Sequence, residues 1–413
     1  MEQVVERPAA LDVHKAQVTA WVRVPDGRGG REDLRARYST MAADLLALRD
    51  WLKELGVTHV AMESSGVYWK PVYYVLEDDF ELLLVNAQHV KNLPGRKTDM
   101  KDAEWLCQLL ECGLLRGSFV PPREFRELRD LTRYRKSLIS ERGRQANRLH
   151  KVLEDAGVKL ACVATDVLGM SGRAMLEALV SGTRDPEVLA ELARGKLRKK
   201  IPALQQALAG RFCGHHALMV GHILAHLDFL EEQIASLTGE IEERIVPFAQ
   251  KAERLDEIPG VGALTLQAII AELGIDMSRF ATHRHAASWA KLCPGNHESA
   301  GKRRSGRTGK GNRHLRAALI EAAQGAARTK NTYLRAQYEQ IKRRHGHNKA
   351  IVAVAHSILV AAYYMLRDDV GYHDLGGDYF TRRADPERMT RRLIAQLERL
   401  GHKVTLQALP QAA

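Results

Sequence analysis

Apolar positions in the first hundred residues change period several times. In AALDVHKAQVTAWVRV, from Ala9, they largely alternate, which predicts a strand and hairpin, and LRARYST (34–40) continues as a third strand. MAADLLALRDWLKELG (41–56) shifts to a period near 3.6 and stops at Gly56, the pattern of a helix closed by glycine. VTHVAMES (57–64) is a continuous apolar run, predicting a buried strand. GVYWKPVYYVLEDD predicts a helix interrupted by Pro71, FELLLVNA a further strand, and TDMKDAEWLCQLLECG a helix. The predicted order is βββαβαβα, an α/β domain over residues 1–120.

Pro121 and Pro122 end that pattern, and helical periodicity dominates from there. Residues 123–157 form one long helical stretch. From about Leu218 to Val246 a second carries Ile223, Leu227, Leu230, Ile234, Leu237 and Ile241 at alternating steps of four and three, a heptad seam. The two helices are expected to pair, within a chain or across a dimer, which makes 121–250 a helical, coiled-coil segment. His222 and His226 lie one turn apart, but no carboxylate or cysteine completes a ligand set, so they read as seam-flanking residues. Residues 251–370 form a helical domain that opens on LDEIPGVGALTLQAIIAELG. There a Pro-Gly-Val-Gly turn joins two helical stretches like a helix-hairpin-helix element, and Gly260 and Gly262 either hold a phosphate on hairpin amides or simply make the turn. AIVAVAHSILVAAYYML (350–366) nears membrane-span length, but His356 and Ser357 interrupt it, and it reads as a buried helix. A linker and a basic amphipathic helix fill 371–413.

Charge narrows the class of partner. The chain has 413 residues, 45% apolar and 27% charged, a composition that folds. Its net charge of +12 is unevenly spread. Residues 123–151 hold ten Lys or Arg against four Asp or Glu, an excess that is half the total. Such a helix suits a phosphate backbone, with Arg133, Lys136, Arg144, Arg148 and Lys151 as the expected contacts. HESAGKRRSGRTGKGNRHLR (297–316) has four glycines, seven cations and almost no apolar residue, so it belongs on a surface or in a cleft facing a polyanion; Lys302, Arg303, Arg304, Arg307, Lys310 and Arg313 are its candidate contacts. The N-terminus carries no export pattern and the five cysteines form no CxxC pair, so a cytoplasmic protein with reduced thiols and no membrane is expected.

Four carboxylates give the α/β domain a chemistry. Asp12 lies on the first strand and Glu63 at the end of the fourth; if those strands are parallel neighbours, their ends converge. Asp99 and Asp102 are three apart at the start of a helix and share a face. Acids there also complement the helix dipole. Taken together, the four suit hard divalent cations, Mg²⁺ or Mn²⁺, and hence phosphoryl transfer. The element order resembles an RNase H or RuvC-like nuclease fold.

LDVHK, AMESSGVYW, KTDMKDAEWLCQLL and ESAGKRRSGRTGKGN, in that order, resemble the motifs of the DEDD transposases of bacterial insertion sequences, the bridge-RNA-guided recombinases. The resemblance runs from about Asp12 to about Leu366. It implies a RuvC-like domain with Asp12, Glu63, Asp99 and Asp102 as metal ligands and a C-terminal transposase domain with Ser299 as nucleophile. It also implies double-stranded donor and target DNA, a structured guide RNA seated on the basic helix, and dimers assembling to tetramers. One departure is AALDVHK, where a Gly-Ile pair commonly precedes the aspartate. Two competing readings are a RuvC-like junction resolvase that activates water and has no use for Ser299, and a nucleic-acid-binding protein without catalysis.

Overall fold

The computed structural model describes residues 4–64, 66–86, 102–295, 297–299, 302–309, 311–383 and 386–406. The chain divides into two compact units, 1–121 and 122–413.

The first unit is a mixed α/β domain. Strands β1 (Pro8–Val13), β2 (Gln17–Pro25), β3 (Arg31–Ser39), β4 (His59–Glu63) and β5 (Glu81–Val85) form one sheet in the order β3-β2-β1-β4-β5. The β1–β2 and β2–β3 pairs are antiparallel, while β1–β4 and β4–β5 are parallel, each parallel step bridged by a helix. Alternation sorts the side chains onto two faces. Leu11, Val18, Val22, Val60 and Met62 are buried against α1 (Ala42–Glu54) and α2 (Trp69–Leu76). Ala10, Trp21, Ala61 and Val85 are buried against α3 (Asp102–Glu111), through Ala103, Leu106, Cys107 and Leu110. Pro71 does not interrupt α2: it is the third residue of that helix, in the first turn, where its missing N–H costs nothing. The far end of α3 is pinned by Glu111, whose carboxylate, 11% exposed, meets Arg23 at 3.0 Å and Arg31 at 3.1 Å.

The second unit is mostly helical and is built on two long helices, α4 (Arg123–Asp155) and α9 (Gly214–Ile245). They pair antiparallel within the chain, as cross-links from Arg135 to Thr238, Arg142 to Glu231 and Arg244 to Glu127 show. At one end, short helices α5 to α8 (Leu160–Val163, Met170–Val180, Pro186–Glu191 and Ile201–Leu208) close a core on Leu149, Leu153, Leu224 and Leu227. At the other, Phe125, Leu128, Ile241 and Ile245 join the core of helices α10 to α15 (Ala249–Asp256, Ala263–Leu273, His283–Trp289, Arg313–Ala326, Tyr333–His345 and His347–Asp368). Between those cores Ile234 and Leu237 are only half-buried. The apolar helix α15 is a core helix, burying Val354, Ile358, Ala362 and Leu366. The basic stretch after α12 is not purely a loop: His297–Ser299 (β6) and Lys302–Ser305 (β7) form an antiparallel hairpin. Two further helices, α16 (Tyr379–Arg382) and α17 (Pro386–Arg399), follow.

Candidate active site

Sheet register builds the first half of the site. Asp12 pairs with Thr19 across β1–β2, and Thr19 pairs with Arg37 across β2–β3. On the other side, Glu63 lies one step beyond the Leu11–Met62 pair of the parallel β1–β4 ladder and is itself in register with Val85. Arg37, Thr19, Asp12, Glu63 and Val85 therefore form one row across five strands. Because neighbours in register share a face, this is the face α3 covers. The helix starts at Asp102, and Ala103, the next residue, is buried against Ala10, Trp21 and Ala61 one row below. Asp12 and Glu63 thus sit where the cover of α3 begins. Asp12 is 32% exposed, and His14 Nε2 lies 3.0 Å from one of its carboxylate oxygens. A cleft of about 470 Å³ opens there, walled by Asp12, Thr19, Ala103 and two exposed arginines of β3, Arg35 and Arg37. Arg35 stacks on Trp21 at 3.8 Å, and the Trp21 indole donates to Asp33 at 3.1 Å. Carboxylate oxygens beside a wall of cations fit a hard divalent ion and a phosphate chain in one place. Asp99 lies outside the described residues.

In the second unit Ser299 is the last residue of β6 and pairs with Lys302 of β7, Glu298 pairing with Arg303. Beyond the hairpin the chain packs tightly where it enters α13. A Cβ on Gly311 would stand 2.7 Å from the Ala290 carbonyl oxygen, so only glycine passes there. Asn312 then caps α13, accepting from the backbone N–H groups of His314 and Leu315 at 3.1 Å each, while its amide donates to Glu272 at 2.6 Å. Glu272 is 2% exposed at the end of α11 and also receives a bidentate pair of 2.7 Å hydrogen bonds from Arg133 of α4. Arg129 bonds the carbonyls of Ala271 and Glu272. Burial alone would raise the Glu272 carboxyl pKa, but bonds from Arg133 and Asn312 and the charge of Arg129 hold it below the usual carboxylate range. Burial pulls the Arg129 guanidinium down to about 10, against the attraction of Glu272, which leaves it charged at neutral pH. A cleft of about 990 Å³ lies beside the hairpin, with Arg307 and Thr308 on one wall and His345, Lys349 and His356 on the other.

Known proteins match both halves. Residues 9–157 match the transposase model of the DEDD type named for IS110, and residues 252–339 match the Transposase IS116/IS110/IS902 family, together more than half the chain. The chain belongs to the IS110 family of DEDD transposases. It is 23% identical over 298 residues to the transposase for insertion sequence element IS1328 of Yersinia enterocolitica, covering 71% of this chain and 77% of that one. It is 26% identical over 287 residues to the transposase for insertion sequence element IS1111A of Coxiella burnetii, covering 66% and 67%.

In this IS110-family chain the predicted cations separate by environment. Arg133, half-buried, holds Glu272; the other four are exposed, Lys136 meeting Glu321 at 2.6 Å and Arg144 bonding Glu141. Gly260 has φ +85° and lies so close to α13 that a Cβ would overlap the Ala322 carbonyl and the Ala326 amide, so its glycine serves helix packing; Gly262 is the N-cap of α11, with open space around it. Lys302 and Arg307 are exposed, as is Arg313 at the first position of α13, with its Nε 3.2 Å from the His314 ring. Arg303 and Arg304 lie on β7, and Lys310 is outside the described residues. His14, Arg35 and Arg37 join the site without having stood out in the sequence. The available signal was the RAR of β3, two arginines at period two on the strand that neighbours β2.

Proposed function

We propose that this family member cuts and rejoins DNA during transposition of an insertion sequence, with Asp12, Glu63, Asp99 and Asp102 holding Mg²⁺ or Mn²⁺ in a RuvC-like domain and Ser299 as nucleophile. The observation that carries the reading is the in-register placement of Asp12 and Glu63 on parallel neighbours, at the point where α3 begins with Asp102. All-oxygen donors with one face open to solvent suit a hard cation that keeps waters and phosphate among its ligands. When bound, such ions polarise the phosphoryl group and neutralise charge that builds on its oxygens. The chain's own groups do the rest. Arg35 and Arg37 draw the phosphate backbone toward the acids, and His14 orients Asp12. The Ser299 hydroxyl loses its proton and its oxygen bonds to phosphorus while the ester bond to one deoxyribose oxygen breaks, that oxygen leaving as a hydroxyl. The resulting phosphoserine keeps the ester energy, so the reverse step joins a new strand without free ends. Lys302, Arg303, Arg304 and Arg307 stabilise the charge of the transition state. A structured guide RNA lies along the exposed cations of α4, and the working assembly is an oligomer of this chain.

The test is denaturing electrophoresis of the protein with labelled donor and target DNA in Mg²⁺. A covalent protein–DNA adduct is expected, lost in Ser299→Ala, in Asp12→Ala and Glu63→Ala, and in excess chelator. Cleavage without any adduct, equally fast in Ser299→Ala, would establish water as nucleophile and a resolvase-like activity in its place.

A further inference from the structure

A second cluster of donor side chains lies at the junction of the two long helices, remote in sequence from the acids and from Ser299. Cys213 is the N-cap of α9, and His215 and His216 are the second and third residues of that helix. The Cys213 Sγ lies 3.2 Å from Nδ1 of His215 and 3.2 Å from Nδ1 of His216, and all three donor atoms are within 4.8 Å of one another. The two imidazole rings are in contact, with centroids 3.8 Å apart. His216 Nε2 is 3.0 Å from the carboxylate of Asp155, the last residue of α4.

These contacts define the tautomer of His216. His216 Nδ1 already accepts from the Cys213 backbone N–H at 3.2 Å, so its proton is on Nε2 and is donated to Asp155. One thiol proton can serve only one of the two Nδ1 atoms that face the sulfur. The other either stays bare or, in the alternative tautomer of His215, donates its own proton to the sulfur; with both protons removed, the three donor atoms lie close enough together to hold one cation. The spacing suits a particular class of cation. Tetrahedral zinc, with Zn–S about 2.3 Å and Zn–N about 2.0 Å, holds its sulfur and nitrogen ligands about 3.5 Å apart, close to what is found here. Thiolate plus imidazole excludes Mg²⁺ and Ca²⁺, which take oxygen. A carboxylate on the far nitrogen of a ligating histidine fixes its ring and raises its basicity.

We infer that Cys213, His215 and His216 bind one Zn²⁺ per chain, with Asp155 orienting His216 and water in the fourth position. Cys213 and His215 are exposed, which gives the ion a way in, while His216 is buried against Phe212. The capping bond from the Cys213 N–H to His216 is exchanged for a bond to the metal. Asp155 ends α4 and Cys213 starts α9, so the hydrogen bond from His216 to Asp155, which the ion would hold in place, joins the entry and exit of the 156–212 segment. This site is independent of the acid cluster and does not rest on the function proposed above.

The full chain, stripped with chelator and desalted under reducing conditions, is titrated with Co²⁺ and then Zn²⁺. One equivalent of Co²⁺ is expected to produce a thiolate-to-cobalt charge-transfer band that the all-oxygen acid cluster cannot give, and Zn²⁺ should abolish it. Cys213→Ser should remove the band, while Cys162→Ser, which changes another exposed cysteine of this unit, should keep it. His215→Ala should weaken Zn²⁺ binding more than tenfold, and Asp155→Ala by about 10- to 100-fold with the band retained. Circular dichroism identifies a variant that fails to fold; for Cys213→Ser the inference then stands on His215→Ala and Asp155→Ala. No thiolate band at one equivalent, a band undiminished in folded Cys213→Ser, or unchanged Zn²⁺ affinity in both His215→Ala and Asp155→Ala overturns it.

Discussion

Glu272 shows how much of the second unit rests on one residue. It is 2% exposed, and α4, α11 and the cap of α13 all meet on it through Arg133, Arg129 and Asn312. Replacing it by Gln keeps the shape but leaves two guanidinium groups without their counter-charge. Breaking a buried pair costs about 3–5 kcal/mol, and because Arg133 is 35% exposed, solvent screening puts the expected loss near ~3 kcal/mol. Urea denaturation at neutral pH, read on the transition of the second unit, measures this. The pH dependence follows from sign. The folded carboxyl lies below its unfolded value, so its contribution is complete above the unfolded pKa, about 4.3, and is lost as pH falls through the folded one. Thermal melts of the native protein should fall steeply below about pH 4, and those of Glu272→Gln should be flatter there. Melting curves of equal steepness in acid would show that Glu272 is not held in its charged form.

Among the elements, those with their own periodicity were legible. Strand β3 alternates and α1 repeats cleanly, and β1 and β4 each carry an apolar run to an acid, which marks Asp12 and Glu63 without any structure. The β6–β7 hairpin was not legible, since strands of three and four residues with no apolar alternation look like loop. Nor was the pairing of two cations of α4 with distant acids. The helix's excess of cations is visible in the sequence, but Glu272 and Glu321, which answer Arg133 and Lys136, lie 139 and 185 residues further on. The donor cluster at Cys213 was hidden for a similar reason: helical spacing points to His222 and His226, one turn apart but exposed on α9, whereas the converging donors need the non-helical backbone of an N-cap. The pairing of those two cations bears on nucleic-acid binding by α4. Charge reversal at Arg148 and Lys151, both exposed, should weaken binding of structured RNA evenly across sequences and flatten its salt dependence by roughly one counterion for each phosphate no longer neutralised. Reversal at Arg133 should lower stability before it touches that slope. An unchanged slope in the double variant of Arg148 and Lys151 places the RNA on another surface.

For the whole molecule the decisive question is whether one chain completes its own site. Asp12, Glu63 and Asp102 belong to the unit ending at residue 121, and Ser299 to the unit beginning at 122. Within the second unit, α4 and α9, of 33 and 32 residues, each extend about 50 Å and carry separate cores at their two ends. A chain in which the acids and the serine are borne by different compact units can complete its site from two subunits. Our proposal is that the acid cluster of one subunit works on the same phosphate as Ser299 of another. Asp12→Ala and Ser299→Ala proteins should each be inactive alone. When co-expressed with different affinity tags and purified through both, the mixed oligomer should regain strand exchange, because some pairings join an intact acid cluster to an intact serine. The recovered activity should rise with the fraction of mixed oligomer and depend on divalent metal as the native protein does. Mixed oligomers that remain inactive, while native chains purified by the same double-tag route are active, would establish that each chain completes its own site.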